Sequence, residues 1–417
     1  VSHRPPATKF IFLTLLLDVL GFGLIIPVAP RLVQNLQGGS EEAAATTVGL
    51  LAATYAAMQL LFSPILGALS DRFGRRSVLL VSLFGSGLDY IALALSPTIA
   101  FLFITRAING ISGASITVAT AYIADVTPPD KRAGAYGMMG AAFGIGFVLG
   151  PLMGGVLGNM DIHYPFYAAA ALTFLNWIYG LMVLPESLPA ERRAPFKISR
   201  ANPIGAFAGL GRYPLVAGLA AAAFFANLAQ FGLHATWVLY TGHRYDWKPL
   251  DVGLSLSVVG IGAAIVQGGL ARKIIPWLGE KNSILLGLLI GIAAYIGYGA
   301  ASEGWMIYIV IAYATLGGIA QPAAQSLITR TVLPTEQGAT QGALTGLQSL
   351  ANILGPLIGT AAFSYSVLPD APVHLDGLTF FVGAGLAAIG WMIAAYSLAR
   401  WNTPRPAGET SNLKSEI

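Results

Sequence analysis

The 417-residue chain has no cysteine. Disulfides, thiolate metal sites and cysteine nucleophiles are therefore excluded. Charge is scarce as well: Asp, Glu, Lys and Arg make up 10% of the residues, against about 25% in a soluble domain. So few charges cannot cover a soluble surface of this size, and lipid is the expected solvent. No GxxxxGK[ST] loop occurs, which argues against ATP as the energy source. No metal-ligand cluster or nucleophile–base constellation is legible either. The chain is expected to be neither an enzyme nor the holder of a cofactor. The formal charge is +4, but the basic residues fall in short clusters between apolar runs. They form no single surface for nucleic acid.

What the chain does have is apolar length, with 55% hydrophobic residues. Twelve runs are long enough to cross a bilayer as helices: 9–31, 47–69, 77–96, 98–124, 135–158, 164–184, 212–240, 250–272, 282–301, 305–330, 338–366 and 377–400. They are too long for barrel strands, and backbone in hydrocarbon needs internal hydrogen bonds. The expected fold is an all-α membrane protein. The first run is not read as a cleavable signal, because it is too long and carries Asp18. With the N-terminus in the cytoplasm, 19 of the 23 Lys and Arg residues fall in cytoplasmic segments. Arg31, Arg244 and Lys248 fall outside and Arg106 lies within a span. The positive-inside rule then places both termini in the cytoplasm.

The runs repeat. LGPLMG at Leu149–Gly154 returns as LGPLIG at Leu354–Gly359, an offset of 205. At that offset Pro129 meets Pro334, Gly137 meets Gly342 and Gly74 meets Gly279. Two six-helix halves are expected, 1–184 and 212–400, joined by a basic, proline-punctuated linker at 185–211 and followed by a tail at 401–417. Repeats of this kind place a substrate path between the halves, near the bilayer midplane.

The loop after the second span reads GALSDRFGRR, Gly67 to Arg76. Gly67 and Gly74 permit close approach or a tight turn. Asp71 can accept from a helix N-terminus or pair with Arg75, while Arg72, Arg75 and Arg76 fit a cytoplasmic face. A latch between helices is the expected role. The equivalent stretch in the second half is only WLGEKNS. In the fifth span Gly146, Gly150, Gly154 and Gly158 recur every four residues, one stripe against which another helix can pack. Pro151 can kink that helix.

GALSDRFGRR resembles the loop signature of the major facilitator superfamily. GFVLGPLMGG, Gly146 to Gly155, resembles the fifth-helix motif of its drug/proton antiporters. LLDVLGFGLIIPVAP, YAAMQLLFSPILGALSDRFGRRSVLLVSL, GLDYIALALSP, TAYIADVT, WVLYTGHRYDW and LGEKNSILLG are similar to the bacterial tetracycline/proton efflux proteins. The likeness covers nearly the whole chain. It implies the major facilitator fold and a gating role for the loop residues, for Asp125 beside them, and for Gly146, Gly150, Pro151 and Gly154. Two positions depart from the pattern. Gly291 stands where those pumps carry a ninth-helix carboxylate, and Ala263 where they commonly carry a histidine.

Only three Asp, Glu, Lys or Arg residues fall well inside the spans: Asp18, Asp89 and Arg106. Each costs roughly 2.5–3.5 kcal/mol on insertion scales. Asp89 and Arg106 flank the turn Ser96–Pro97–Thr98 at nearly equal depth, so a salt bridge between them is one expectation. Proton coupling is the other, centred on Asp18 and Asp89. Desolvation disfavours a charged carboxylate in general, so a proton and a cationic or metal-chelated drug can compete for one group. The resemblance supports acidic roles for Asp18 and Asp89 and matches Arg106 to a fourth-helix arginine. Neutral polar residues complete the expected substrate site: Gln59, Asn109, Gln230, His234 and Gln325, with Asn227, Gln348 and Asn352 as further candidates. Tyr55, Phe231 and Trp237 could stack on a planar drug.

The reading that follows is a proton-coupled exporter of a hydrophobic drug in a bacterial inner membrane, functional as a monomer. Tetracycline is the first substrate expected, a divalent cation entering with it as the chelate. A multidrug or metabolite exporter of the same fold is the near alternative. A non-transporting membrane sensor is the alternative of another class.

Overall fold

The computed structural model describes residues 7–113, 115–128, 132–189, 191, 193, 211–333, 336–368 and 375–401. Pro129, Pro334, most of the expected linker and the tail from 402 lie outside them. The described residues are helical, with no strand among them. The first half comprises α1 (Ala7–Ile25), α2 (Ala29–Leu36), α3 (Glu41–Phe73), α4 (Arg75–Ala94), α5 (Ile99–Ser112), α6 (Ser115–Val126), α7 (Arg132–Met160) and α8 (Tyr164–Val183). The second comprises α9 (Pro214–Tyr245), α10 (Pro249–Ile265), α11 (Ala271–Leu278), α12 (Glu280–Ala300), α13 (Gly304–Ala314), α14 (Ala320–Thr331), α15 (Gln337–Ser366) and α16 (Leu378–Arg400).

Local sequence explains where these helices begin. Ser40 caps α3 by accepting from the Ala43 amide at 3.3 Å, and Glu41 and Glu42 face the positive end of the dipole. Thr98 caps α5 in the same way through the Phe101 amide at 3.3 Å. Prolines open α2, α8, α9 and α10, where a missing N–H leaves no bond unmade. Gly74 and Gly279 turn the chain at φ 96° and 78° in equivalent loops of the two halves, a region closed to most side chains.

Four spans are not single helices. The first ends at Ile25 and resumes as α2. The fourth breaks at Gly113, between α5 and α6. The eighth passes through a π-turn at Val266–Leu270, and the tenth through a 3₁₀ turn at Thr315–Ile319. With these joined, twelve spans result. Among the described residues, eleven helical segments are long and apolar enough to cross a membrane. The twelfth, α15, has the length, 30 residues, but a polar first half.

The expected repeat is visible as packing. On α7, a Cβ added at Gly146 would lie 2.7 Å from Val19 Cγ1, and one at Gly150 2.8 Å from Gly23 Cα, both on α1. On α15, a Cβ at Gly355 would lie 2.7 Å from the Leu228 carbonyl and one at Gly359 2.6 Å from Gly232 Cα, both on α9. The opposite faces of α7 and α15 cross to the other half. Gly253 on α10 abuts the Pro151 carbonyl, and Gly49 on α3 abuts Thr360 and the Pro356 carbonyl. Small residues thus let α7 and α15 serve as wedges, each between a helix of its own half and one of the other.

These crossings lie towards one end of the molecule. There Arg31 donates to the Trp247 carbonyl, His243 pairs with Glu41, and Ser364 donates to the Glu42 carbonyl at 3.3 Å. At the opposite end, which carries GALSDRFGRR, the ion pairs among the described residues stay within one half: Arg75–Asp71, Arg75–Asp125, Arg193–Glu186, Arg212–Glu336 and Arg330–Glu280. Gly67, Gly140 and Gly144 of the first half and Gly268, Gly269 and Gly338 of the second have nothing within 4 Å of a Cβ position. The halves therefore meet at the first end and splay apart at the loop end.

Candidate functional site

The first half gathers the charged groups. Asp18 on α1, Asp89 on α4 and Arg106 on α5 all lie close enough to Tyr55 on α3 and Tyr90 on α4 to act on them electrostatically, and Arg106 acts on Asp89 as well. Asp89 is 4% exposed, a burial that matters because a carboxylate there must be compensated or neutral. Its Oδ2 accepts from Asn109 Nδ2, and its Oδ1 is buried without a hydrogen-bond partner. The salt bridge expected with Arg106 is not formed. No ion pair within 4.0 Å joins them, and the side chain that reaches the carboxylate is Asn109, three residues further along α5. Asp18 has no hydrogen bond or ion pair among the described residues. Gln59 donates to the Gly113 carbonyl at 3.2 Å and lies 3.4 Å from the Tyr55 hydroxyl. It satisfies a backbone group beside the break in the fourth span.

The loop motif forms a network inside its own half. Arg75 pairs with Asp71 at 2.6 Å and with Asp125 at 3.2 Å, and also donates to the Ser70 hydroxyl. Arg76 donates to the Leu181 carbonyl at 2.9 Å, while Arg72 lies over the Phe73 ring. The N-terminus of α4 is not capped by Asp71. Glu186 takes that place, accepting from the Arg75 amide at 2.8 Å and from the Ser187 and Leu188 amides. Close packing expected at Gly67 is absent, because the second half is withdrawn at this end.

The second half contains the space. A cavity of about 700 Å³ is lined by helices of that half and by Phe147 of α7, within the roughly 300–1,000 Å³ usual for small-molecule sites. Among the described residues, no Asp, Glu, Lys or Arg lines it. Gln230, His234, Trp237 and Gln325, all expected at the site, do line it, as do Asn227 and Gln348. Gln230 Nε2 is 2.7 Å from His234 Nε2, and the Tyr295 hydroxyl donates to Gln230 Oε1 at 3.5 Å. Trp237 is fixed edgewise by Ser255, 3.1 Å from its indole nitrogen, and by the Tyr298 ring. Gly291 and Ala263 both line this cavity, and a Cβ at Gly291 would meet nothing within 4 Å.

The expected residues therefore form two groups. Asp18, Gln59, Asp89, Arg106 and Asn109 belong to the first-half cluster and do not line the cavity. Phe231 and Asn352 do not line it either, and Phe231 packs against Gly355 instead. Sequence reasoning passed over Glu186, Gln267, Gln321 and Gln341. It also missed the breaks at Gly113 and at Gly317–Gly318, although these lie at the repeat's own offset.

Two splayed six-helix halves with this loop network have a counterpart in sequence. The family model of the Major Facilitator Superfamily matches residues 11–356. The chain belongs to the major facilitator superfamily. It is thereby a multi-pass membrane transporter rather than an enzyme. It is 40% identical over 373 residues to the class C tetracycline resistance protein of Escherichia coli, covering 89% of this chain and 92% of that one. To the class H protein of Pasteurella multocida it is 37% identical over 404 residues, covering 95% and 97%. The crystal structure of a bacterial homologue of the human lysosomal transporter Spinster, inward-facing and unoccupied, superposes with TM-score 0.75 at 18% identity. The match covers 96% of this chain and 100% of that one, and shows the shared fold.

Proposed function

We propose that this transporter exports tetracycline across a bacterial cell membrane in exchange for protons, working as a monomer with both termini in the cytoplasm. The observation that carries the reading is the division of labour in the membrane. Two embedded carboxylates stand in one half, one of them with an unpartnered oxygen, and a neutral drug-sized cavity stands in the other. The names of the relatives supply the drug.

On this reading each part has a task. Asp89 Oδ1 is available to carry a proton while Oδ2 keeps its bond to Asn109. Asp18, without a partner, is the second group able to exchange one. A cationic drug chelate drawn between the halves favours the ionised carboxylates. Its departure favours their protonation, so the two ligands exchange through one set of groups. A divalent cation here travels as part of the substrate, and the energy comes from the proton gradient. With the loop end cytoplasmic, as the basic residues indicate, the conformation is open to the inside. Glu41–His243 and the Pro151 and Pro356 crossings close the outside.

Expression in a drug-sensitive, efflux-deficient bacterium tests the proposal. Tetracycline accumulation should fall below that of the empty vector while the gradient stands, and rise to match it when a protonophore collapses the gradient. Accumulation equal to the empty vector in both conditions overturns it.

A further inference from the structure

The fourth and tenth spans break at equivalent points. Gly113 and Gly318 are separated by 205 residues, the offset of the repeat. Glycine-interrupted spans at corresponding positions of two halves are where transporters of repeated architecture place ligands. A glutamine faces each break from two spans earlier: Gln59 on α3 and Gln267 in the π-turn after α10.

The two glutamines are in different chemical situations. Gln59 is engaged within the protein, donating to the Gly113 carbonyl at 3.2 Å. Gln267 has no hydrogen bond among the described residues. Its Nε2 lies 3.8 Å from the position a Gly318 Cβ would take, and it lines the cavity with Thr315, Gly317 and Gly318. Both backbone segments here depart from α-helical geometry, one as a π-turn and the other as a 3₁₀ turn. Such departures often mark functional positions.

We infer that Gln267 and the Thr315–Ile319 turn form the subsite for the uncharged hydrogen-bonding edge of the drug. This rests on the export reading above. A primary amide both donates and accepts, so it suits an edge of alternating carbonyl and hydroxyl groups. A wall without Asp, Glu, Lys or Arg disfavours a bare charge against it. The ligand's charged or chelating group then points away, towards Asp18 and Asp89. Gln59 is the internal control, with the same residue type, the same break and an amide nitrogen already engaged by the protein.

Binding of tetracycline to purified protein in detergent, read by fluorescence, tests this alongside thermal stability. Gln267→Ala should raise Kd about tenfold, the loss of a desolvated hydrogen bond, and leave Tm unchanged. Gln59→Ala should lower Tm. Wild-type Kd in Gln267→Ala overturns the subsite. A fall in Tm equal to that of Gln59→Ala also overturns it, because Gln267 then serves packing. Wild-type protein that neither binds nor exports tetracycline overturns the export reading itself, and the subsite with it.

Discussion

The two halves share a plan and differ in what they do with it. Helix for helix they repeat the same wedges and the same glycine turns at Gly74 and Gly279. Yet the first half packs carboxylates, an arginine and their partners into its interior, while the second leaves a neutral cavity of about 700 Å³. A repeated fold lets one copy be refilled with charge and the other emptied, without disturbing the packing that joins them. Backbone symmetry is here a matter of glycines, and function a matter of the asymmetry laid over them.

The strongest way to break that comparison is to remove the charge from the first half. Asp89→Asn keeps a carbonyl oxygen for Asn109 and removes the ionisable group. Uptake of tetracycline into everted vesicles, driven by a pH gradient, should fall by at least about tenfold, equivalent to about 1.4 kcal/mol on the barrier. Tm should change little, because the hydrogen bond is retained. Gradient-driven uptake at the wild-type rate would leave the first half no distinctive role.

The next test concerns what the halves share. Gly150 and Gly355 both lie against backbone, Gly23 in one half and Leu228 in the other. Backbone cannot rotate away as a side chain can. Gly150→Val and Gly355→Val should therefore each destabilise by roughly 1–3 kcal/mol, and by similar amounts. Thermal melting in detergent reads this directly. A large loss in only one variant would show that the wedges are not equivalent.

Gly291 sharpens the comparison from the side of the second half. It lines the cavity and has open space above its Cα. Gly291→Leu should weaken tetracycline binding several-fold at unchanged Tm, because the new side chain fills drug space rather than packed space. A drop in Tm with wild-type affinity would place Gly291 in the packing instead.

Much of this was legible in the sequence because apolar length and glycine spacing act locally. The twelve spans, the repeat at offset 205 and the stripe at Gly146, Gly150 and Gly154 needed no tertiary information. The breaks at Gly113 and Thr315–Ile319 were hidden because glycine is common in membrane helices and only a neighbour reveals a turn. Equal depth suggested that Asp89 would meet Arg106. Depth does not fix rotation about the helix axis, and Asn109 reached the carboxylate instead. The cavity was illegible for a related reason. Gln230, His234, Trp237 and Gln325 looked no different from Gln59, yet only helix packing decides which polar groups face space and which face backbone.

The smallest expected effect is at the loop end of the second half. The Tyr213 hydroxyl, 2.7 Å away, and the Arg212 guanidinium hold the Glu336 carboxyl below the usual carboxylate range. A depressed folded-state value means that the ionised form is preferred by the folded protein. Its contribution is present above the ordinary range of an unfolded glutamate and is lost as pH falls through the depressed range. Glu336→Gln should lower Tm slightly at pH 7, and the gap from wild type should close on acidification towards pH 3. The contact is exposed, so the effect should be small. A gap that persisted in acid would mean that the Tyr213 bond, which glutamine can still accept only in part, matters through its geometry rather than its charge.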